Sequence, residues 1–291
     1  MDGKRRMIKM HKTFLKTKPL LSAILLLALA GSAFGKDFKI FDGTYRYADG
    51  PNLNNSNIQK LEIVYELNLL GASPTAAHNS SWATKDLSAE DETRIRNLAK
   101  TWKLKNIDLV CLDIECWPTS GSEELVAHTI KRYEKVLGWI HQEAPNVKIG
   151  SFGFPHRPFK LTELNDPQSS ACKNWQIEND RLRPLIQQLD VIFLCLYTNT
   201  TDPEKWKLFA KADIENAASY GKPIYPFIWP RYYDSMPGLG WTFIPDSFWK
   251  MELNYVKENA DGAVIWDYGK WQHWNGQVSW WQAVLQLSQD R

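Results

Sequence analysis

The feature that most constrains the fold of this 291-residue chain is a regular alternation of short apolar runs with amphipathic stretches. The apolar runs have the usual length of β-strands and cover residues 38–43, 61–67, 107–115, 148–154, 190–197, 223–229 and 262–268. The stretches between them have helical periodicity and cover residues 88–103, 122–143, 174–189, 203–220, 246–258 and 278–289.

A strand followed by a helix, about seven times over, predicts a parallel sheet covered by helices, because neighbouring parallel strands need a crossover connection. A doubly wound sheet would carry a phosphate-binding glycine loop after its first strand, and the sequence has none. We therefore predict an α/β protein, a closed TIM-like (β/α) barrel of about seven parallel strands. Functional residues of such barrels lie at the carboxyl ends of the strands.

Residues 1–35 do not fit this pattern. They join a basic stretch to an apolar run at residues 20–30 and end in small residues, which is typical of a secretory signal peptide. The run is shorter than the roughly 20 residues that a membrane-spanning helix needs, although an uncleaved N-terminal anchor is an alternative. We expect residues 36–291 to form a single catalytic barrel domain that is secreted or periplasmic, with no stable membrane insertion once the leader is cleaved.

The charge balance changes when the leader is removed. Residues 1–35 carry seven of the 35 basic and one of the 33 acidic side chains, so 28 basic and 32 acidic ones remain, a formal charge of −4. This balance argues against a nucleic-acid partner. The Cys and His residues show no metal-ligand spacing, so we expect neither a metal nor a cofactor. Cys111 and Cys195 are predicted core residues, and a bridge between Cys116 and Cys172 stays open.

Two carboxylates stand at the end of the run at residues 107–115. Side chains alternate along a strand, so Asp113 and Glu115 share the face predicted to point into the barrel, while Leu112 and Ile114 share the face toward the helices. Two carboxyl groups about 6.5 Å apart and screened from water raise one another's pKa. The one that stays protonated can donate a proton to a leaving oxygen, as glycoside cleavage requires. The alternative is that both pair with basic residues or face solvent.

Other acidic and aromatic residues near strand ends are further candidates. Asp42, Glu66 and Asp267 are predicted to be solvated or hydrogen-bonded loop acids. The segments 229–234 and 271–274 are plausible sugar-binding loops because aromatic rings stack on the apolar faces of sugars, although the rings of the second segment could instead cap the barrel.

Four segments resemble, in order and approximate spacing, the hyaluronidase-type glycoside hydrolases (family 56), and more distantly the chitinase-type barrels. They are Asp-x-Glu-x-Trp at 113–117, Gly-Ser-Phe-Gly-Phe-Pro at 150–155, Leu-Tyr at 196–197 and Gly-x-Val-x-Trp at 262–266. The resemblance spans roughly residues 38–270 and implies a distorted barrel of about seven strands.

The resemblance implies a retaining, substrate-assisted mechanism on a polysaccharide or oligosaccharide that contains N-acetylhexosamine. Glu115 is implied to be the acid and base, and Asp113 to orient the 2-acetamido group that attacks the anomeric carbon. The residues predicted to bind substrate are Tyr197, Trp266, Trp117, Phe154, Trp229 and Tyr232. For Tyr197 and Trp266 the alternative is plain packing in the core.

The sequence also departs from the family pattern. Residues 156–159 read His-Arg-Pro-Phe, where the family has an acidic residue, a cysteine and then a tyrosine that contacts the acetamido group. The acidic mature chain argues against the polyanion hyaluronan as substrate. Two other functions therefore stay open: a catalytically silent carbohydrate-binding barrel, and a glycosidase of another barrel family that uses a protein nucleophile.

Overall fold

The strands follow one another around a ring, with helices outside it. The computed structural model describes residues 37–54, 56–71, 84–156 and 168–289, which belong to one unit spanning Asp37–Arg291. The predicted signal peptide at residues 1–35 lies outside the described residues, as do residues 157–159 of the segment that departs from the family pattern.

From residue 109 onward, strands or strand-like segments alternate with helices along the described part of the chain. The strands are β1 (Lys39–Asp42), β2 (Ile58–Lys60), β3 (Glu62–Tyr65), β4 (Leu109–Asp113), β5 (Lys148–Ser151), β6 (Phe227–Ile228) and β7 (Gly262–Ile265). The helices are α1 (Glu66–Leu70), α2 (Ala89–Leu104), α3 (Glu123–Glu143), α4 (Ser170–Ile186), α5 (Pro203–Ala218), α6 (Asp246–Asn259) and α7 (Ser279–Gln289). Helices α2 to α7 correspond to the six predicted helical stretches.

Several element boundaries differ from the predicted ones, and two of these differences have a local physical cause. The apolar run at residues 61–67 is a strand only as far as Tyr65, because the chain then turns into α1, which buries Glu66, Leu69 and Leu70 at i, i+3 and i+4 spacing. Helix α4 begins at Ser170, earlier than the predicted residue 174, because the Ser169 side chain caps it by accepting a hydrogen bond from a backbone amide of its first turn.

The pairing of the strands closes the ring. Strand β1 pairs with β2 and β7, β7 with β6, and β4 with β3 and β5, all in parallel. Residues 190–198 join the two halves, with parallel bridges from Phe193 to Phe152 after β5 and from Cys195 to Phe227 in β6. Leu61 alone separates β2 from β3, so these two form one bent strand position. The seven positions form a parallel ring, which confirms the predicted closed α/β barrel.

Alternate side chains of each strand face the barrel interior or the helices. In β4, Cys111 belongs to the interior cluster, whereas Val110 and Leu112 belong to the larger core under the helices. The interior has no room for a side chain at Gly150, where a Cβ would lie 2.5 Å from the ring of Phe193. The predicted in-and-out pattern of β4 is therefore confirmed.

The cysteines and helices answer two further questions raised by the sequence. All four cysteines are free, so Cys116 and Cys172 do not form the bridge that the sequence left open. Cys111 is fully buried, as predicted, and Cys195 is partly exposed.

Among the described residues, none of the helices combines the length and the apolar character needed to cross a membrane.

Candidate active site

A cleft with a volume of ≈ 400 Å³ opens at the carboxyl ends of the strands. This is the end of a parallel barrel where functional residues collect. Each of the seven strand positions contributes a lining residue just at or after its last paired residue: Tyr45, Tyr65, Asp113, Phe152, Tyr197, Trp229 and Trp266.

Asp113 and Glu115 both line this cleft. Asp113 is the last residue of β4, and its Oδ1 is buried without a hydrogen-bond partner among the described residues. Burial, followed by repulsion from Glu115 and Glu66, raises the pKa of the Asp113 carboxyl well above its usual value. Glu115, two residues further on, is exposed to the cleft. Burial and repulsion therefore both favour the neutral form of the Asp113 carboxyl.

Glu66 fixes the backbone of the loop that carries Glu115. Its Oε1 accepts hydrogen bonds from the backbone amides of Glu115 at 2.7 Å and Cys116 at 2.8 Å. The side chain is only 5% exposed, and it lies beside this loop because β3 and β4 are paired with Tyr65 opposite Asp113. The sequence predicted a solvated or hydrogen-bonded loop acid here. Glu66 is hydrogen-bonded, but it lies at the start of α1 rather than in a loop, in the wall of the cleft.

A wall of aromatic rings stands beside the carboxyl pair. The ring of Tyr197 lies 5.5 Å from that of Trp229 and 5.6 Å from that of Trp266, and the two tryptophans are 4.9 Å apart. The Trp266 indole donates a hydrogen bond to the Tyr65 hydroxyl (3.3 Å). Burial raises the pKa of Tyr197 well above its usual value, so its hydroxyl keeps its proton at neutral pH.

A buried carboxylate orients part of this wall. Asp267 is fully buried and accepts hydrogen bonds from the Trp229 indole (2.8 Å), the Arg231 guanidinium (2.7 Å) and the Tyr47 hydroxyl (2.5 Å). Three donors around one carboxylate fix the plane of the Trp229 ring at the side of the cleft. The predicted loop acid at 267 is therefore a structural centre shared by the loops after β1, β6 and β7.

Five of the eight predicted site residues line the cleft, namely Asp113, Glu115, Tyr197, Trp229 and Trp266. The other three, Trp117, Phe154 and Tyr232, do not, because each is buried in the core under the helices.

The surroundings of these three residues explain their positions. The chain turns at residues 115–116, directly before Trp117. Trp117 therefore packs edge-on against Tyr133, with their ring centroids 5.0 Å apart. Phe154 packs against the same Tyr133 ring at 5.7 Å. Tyr232 points away from the cleft while its neighbour Tyr233 points into it. A sugar-binding role for Trp117, Phe154 and Tyr232 is thus not supported by where they lie.

Several residues that line the cleft were not among the predicted site residues. Tyr45 and Tyr65 lie at strand ends, and a stricter use of the strand-end rule would have found them. Tyr233 lies in the predicted sugar-binding loop at residues 229–234 but was not singled out within it. Trp241 reaches the cleft from a loop, and no local sequence signal places it there. Among the described residues, no group of three or more Cys, His, Asp or Glu side chains is arranged to hold a metal ion.

Comparison with known proteins identifies the class of fold. No family model matches the sequence, and no curated protein matches it. Among solved structures, bee venom hyaluronidase has a TM-score of 0.57 at 14% identity, covering 86% of this chain and 95% of that chain. The same enzyme in complex with a hyaluronic acid tetramer has a TM-score of 0.55 at 13% identity, covering 86% and 94%.

A second enzyme has the same fold. The endo-β-1,4-mannanase from Thermotoga petrophila has a TM-score of 0.51 at 13% identity, covering 80% of this chain and 58% of that chain. The protein is therefore an α/β barrel of the type found in these glycoside hydrolases, and at such low identities the likeness extends to the fold alone.

Proposed function

We propose that the protein is a glycoside hydrolase that cleaves a polysaccharide containing N-acetylhexosamine, with Glu115 as acid and base. One observation supports this function above all others: a pair of coupled carboxyl groups lies at the carboxyl end of β4, in a cleft walled by Tyr197, Trp229 and Trp266. Carboxyl groups supply the proton transfer and aromatic rings supply the apolar faces on which sugars stack. The hyaluronic acid tetramer bound to the bee venom enzyme supports a carbohydrate ligand for a barrel of this fold.

Glu115 has the position that an acid needs. It is exposed to the cleft, so a glycosidic oxygen can reach its carboxyl group, and Glu66 fixes its backbone amide. A fixed backbone lowers the cost of holding the donor in line with the leaving oxygen. Asp113 lies deeper, and repulsion from Glu115 is one cause of its raised pKa, so the pair retains a proton that Glu115 delivers from the exposed side of the cleft.

The reaction proceeds with the substrate's own nucleophile. The acetamido oxygen forms a bond to the anomeric carbon while the bond to the leaving oxygen breaks, and Glu115 transfers its proton to that oxygen. Asp113 faces the acetamido nitrogen as it becomes positively charged. Water then adds to the anomeric carbon and gives a proton to the Glu115 carboxylate, and the acetamido ring opens with retention of configuration.

Cleavage of N-acetylhexosaminide oligomers, compared with that of their deacetylated forms, tests this function. We expect only the acetylated oligomers to be cut. Equal cleavage of both would replace substrate assistance with a protein nucleophile, for which the cleft offers Asp234 as a further carboxylate. Binding of the oligomers without cleavage would identify a catalytically silent carbohydrate-binding barrel.

The variant Glu115→Gln tests the assigned acid. It removes the transferable proton and changes little of the shape, so kcat should fall by at least about a hundredfold while binding of the oligomer persists. The matched control is Glu258→Gln, which alters an exposed glutamate on α6 outside the cleft and should leave kcat unchanged. A Glu115→Gln protein with wild-type turnover would exclude Glu115 as the acid.

A further inference from the structure

Residues with an unusual backbone conformation cluster at the mouth of the cleft. Five described residues other than glycine have positive φ angles, and four of them belong to three loops beside the cleft: Arg46 (53°), Trp241 (70°), Lys270 (48°) and Trp271 (65°). The fifth, Asn106, lies just after α2, where asparagine is common. Bulky side chains rarely adopt this region, and they persist there only where the surrounding structure imposes it.

The loop that carries Trp241 is held on both sides of that residue. The Trp241 amide donates to the Tyr232 carbonyl (3.0 Å), and its own carbonyl accepts from the Arg231 guanidinium (3.1 Å). The same guanidinium binds the buried Asp267 carboxylate. At Gly240 a Cβ would lie 2.4 Å from the Asp234 carbonyl oxygen, so only glycine allows the loop to close this tightly. The Trp241 backbone is thus held in place before any ligand arrives.

Trp271 is fixed in a similar way on the neighbouring loop. Its amide donates to the Arg46 carbonyl at 2.6 Å, and the Gly269 amide donates to the Tyr45 carbonyl at 2.9 Å, so the loops after β1 and β7 are joined. The Trp271 side chain nevertheless remains 67% exposed. The Arg46 guanidinium lies between two rings, 5.7 Å from that of Trp271 and 5.9 Å from that of Tyr268.

These rings continue the aromatic wall outward from the carboxyl pair. Trp229 contacts Trp266 on one side and Trp241 on the other, each at 4.9 Å between ring centroids. Trp241 in turn lies 5.9 Å from Tyr268, and Arg46 connects Tyr268 to Trp271. Trp241 and Tyr268 line the cleft, and Trp241 is 38% exposed. A row of aromatic rings, joined through Arg46 between Tyr268 and Trp271, therefore leads from Asp113 and Glu115 to the outside.

We propose that Trp241, Tyr268 and Trp271 form an outer subsite that binds one further hexopyranose ring of an oligosaccharide. This inference rests on the proposed function, since it concerns the chain that the carboxyl pair would cleave. An indole that is already rigid offers its face at little entropic cost when a pyranose ring stacks on it. The Arg46 guanidinium lies over the Trp271 ring and the Lys270 ammonium over the Trp241 ring. From there both can donate hydrogen bonds to the hydroxyl groups of a sugar that stacks on the remaining aromatic surface.

Binding of N-acetylglucosamine oligomers of increasing length to the full-length protein tests the outer subsite. Every protein in this titration, the reference called wild type included, carries Glu115→Gln so that no oligomer is cut during the measurement. In the wild type, affinity measured by titration calorimetry should rise between the disaccharide and the hexasaccharide. The Trp271 ring lies outside the aromatic wall next to the carboxyl pair. In Trp271→Ala, affinity for the hexasaccharide should therefore fall by about tenfold, and affinity for the disaccharide should stay unchanged. Trp241→Phe keeps a ring and should show a smaller loss than Trp241→Ala. Leu104→Ala, a matched truncation of an 83% exposed side chain outside the cleft, should change neither affinity.

The outcomes separate the two proposals. A wild-type protein that binds the disaccharide and the hexasaccharide equally well overturns the outer subsite and leaves the proposed hydrolase intact. The same holds if Trp271→Ala and Trp241→Ala bind the hexasaccharide as tightly as the wild type. If the wild type binds no oligomer of any length, the proposed function fails and the outer subsite fails with it. A loss confined to the longer oligomers supports both.

Discussion

The carboxylate of Glu66 is the residue-scale feature on which the geometry of Glu115 depends. A single oxygen, Oε1, accepts hydrogen bonds from the backbone amides of two successive residues, 115 and 116, just after the end of the neighbouring strand. Charge-assisted hydrogen bonds of this kind are stronger than those between neutral groups. The same charge acts on Asp113 through space and is one cause of its raised pKa. Glu66 therefore has two separable effects, one through hydrogen bonds and one through charge.

Two variants separate these effects. Glu66→Gln keeps one carbonyl oxygen for the two amides but removes the charge, so the pKa of Asp113 should fall toward its ordinary value. The limb of the pH profile of kcat/KM that reports the loss of this proton should move to lower pH. Glu66→Leu also removes the acceptor oxygen. Two backbone amides then have lost their hydrogen-bond acceptor, which should lower the free energy of unfolding by about 1–3 kcal/mol for each.

The measurements are pH profiles of kcat/KM and urea unfolding for both variants, with Glu258→Gln as the control. Glu66→Gln should keep a kcat close to that of the wild type at its shifted optimum, whereas Glu66→Leu should lose both stability and kcat. If the two variants behave alike, the hydrogen bonds to residues 115 and 116 do not position the acid. An unshifted profile in Glu66→Gln would show that the charge of Glu66 does not reach Asp113.

At the scale of elements, three loops depend on one buried ion pair. Asp267 follows β7, Arg231 follows β6 and Tyr47 follows β1, and all three meet at the Asp267 carboxylate. The Arg231 side chain is 20% exposed and Asp267 is fully buried, so this pair is largely screened from water. Removal of one partner from a buried pair leaves the other charge uncompensated, which costs far more than the loss of a surface ion pair.

Substitution of Arg231 tests this link between loops. Arg231→Met should destabilise the protein by about 3–5 kcal/mol and release the Trp241 carbonyl, so it should also weaken binding of long oligomers. Arg231→Lys keeps the charge without the planar fork, and it should retain more stability while still losing the contact to Trp241. Thermal unfolding and oligomer titration measure the two effects.

A surface ion pair serves as the control for the Arg231 variants. Lys207→Met removes the partner of Glu204, whose side chain is 77% exposed, and should cost about 1 kcal/mol or less. Equal costs for Arg231→Met and Lys207→Met would contradict a structural role for the pair of Arg231 and Asp267.

At the scale of the whole molecule, the barrel closes because its interior contains both large rings and a position without a side chain. The rings of Phe193 and Phe227 pack at 5.6 Å between centroids inside the ring. Gly150 lies opposite them, where even a methyl group would overlap Phe193. Protein interiors are close-packed, so such an overlap shifts neighbouring strands rather than filling empty space.

Two glycine substitutions of the same chemistry should have opposite effects. Gly150→Ala overpacks the barrel interior and should destabilise the protein by about 1–3 kcal/mol. Gly138→Ala lies within α3, where a Cβ meets nothing within 4 Å, and should stabilise the protein by about 0.5–1 kcal/mol by favouring the helix. Urea unfolding measures both. Tolerance of alanine at position 150 would show that the interior can expand.

Periodicity along the chain determined the seven strand positions, the helices between them and the direction in which Cys111, Asp113 and Leu112 point. These properties depend on neighbours within a few residues, and short-range geometry decides them. The strand-end rule for parallel barrels then placed Asp113, Tyr197 and Trp266 at one mouth.

Only the tertiary structure decided which residues meet across long stretches of chain. Glu66 bonds to the amide of a residue 49 positions away, and Tyr47 bonds to Asp267 over 220 positions. Tyr233 rather than Tyr232 faces the cleft, and Trp241 reaches it from a loop without periodicity. Contacts of this kind arise from which strands pair and how their loops close over the barrel. They depend on the free energy of the whole packed molecule, and no local pattern of residues encodes them.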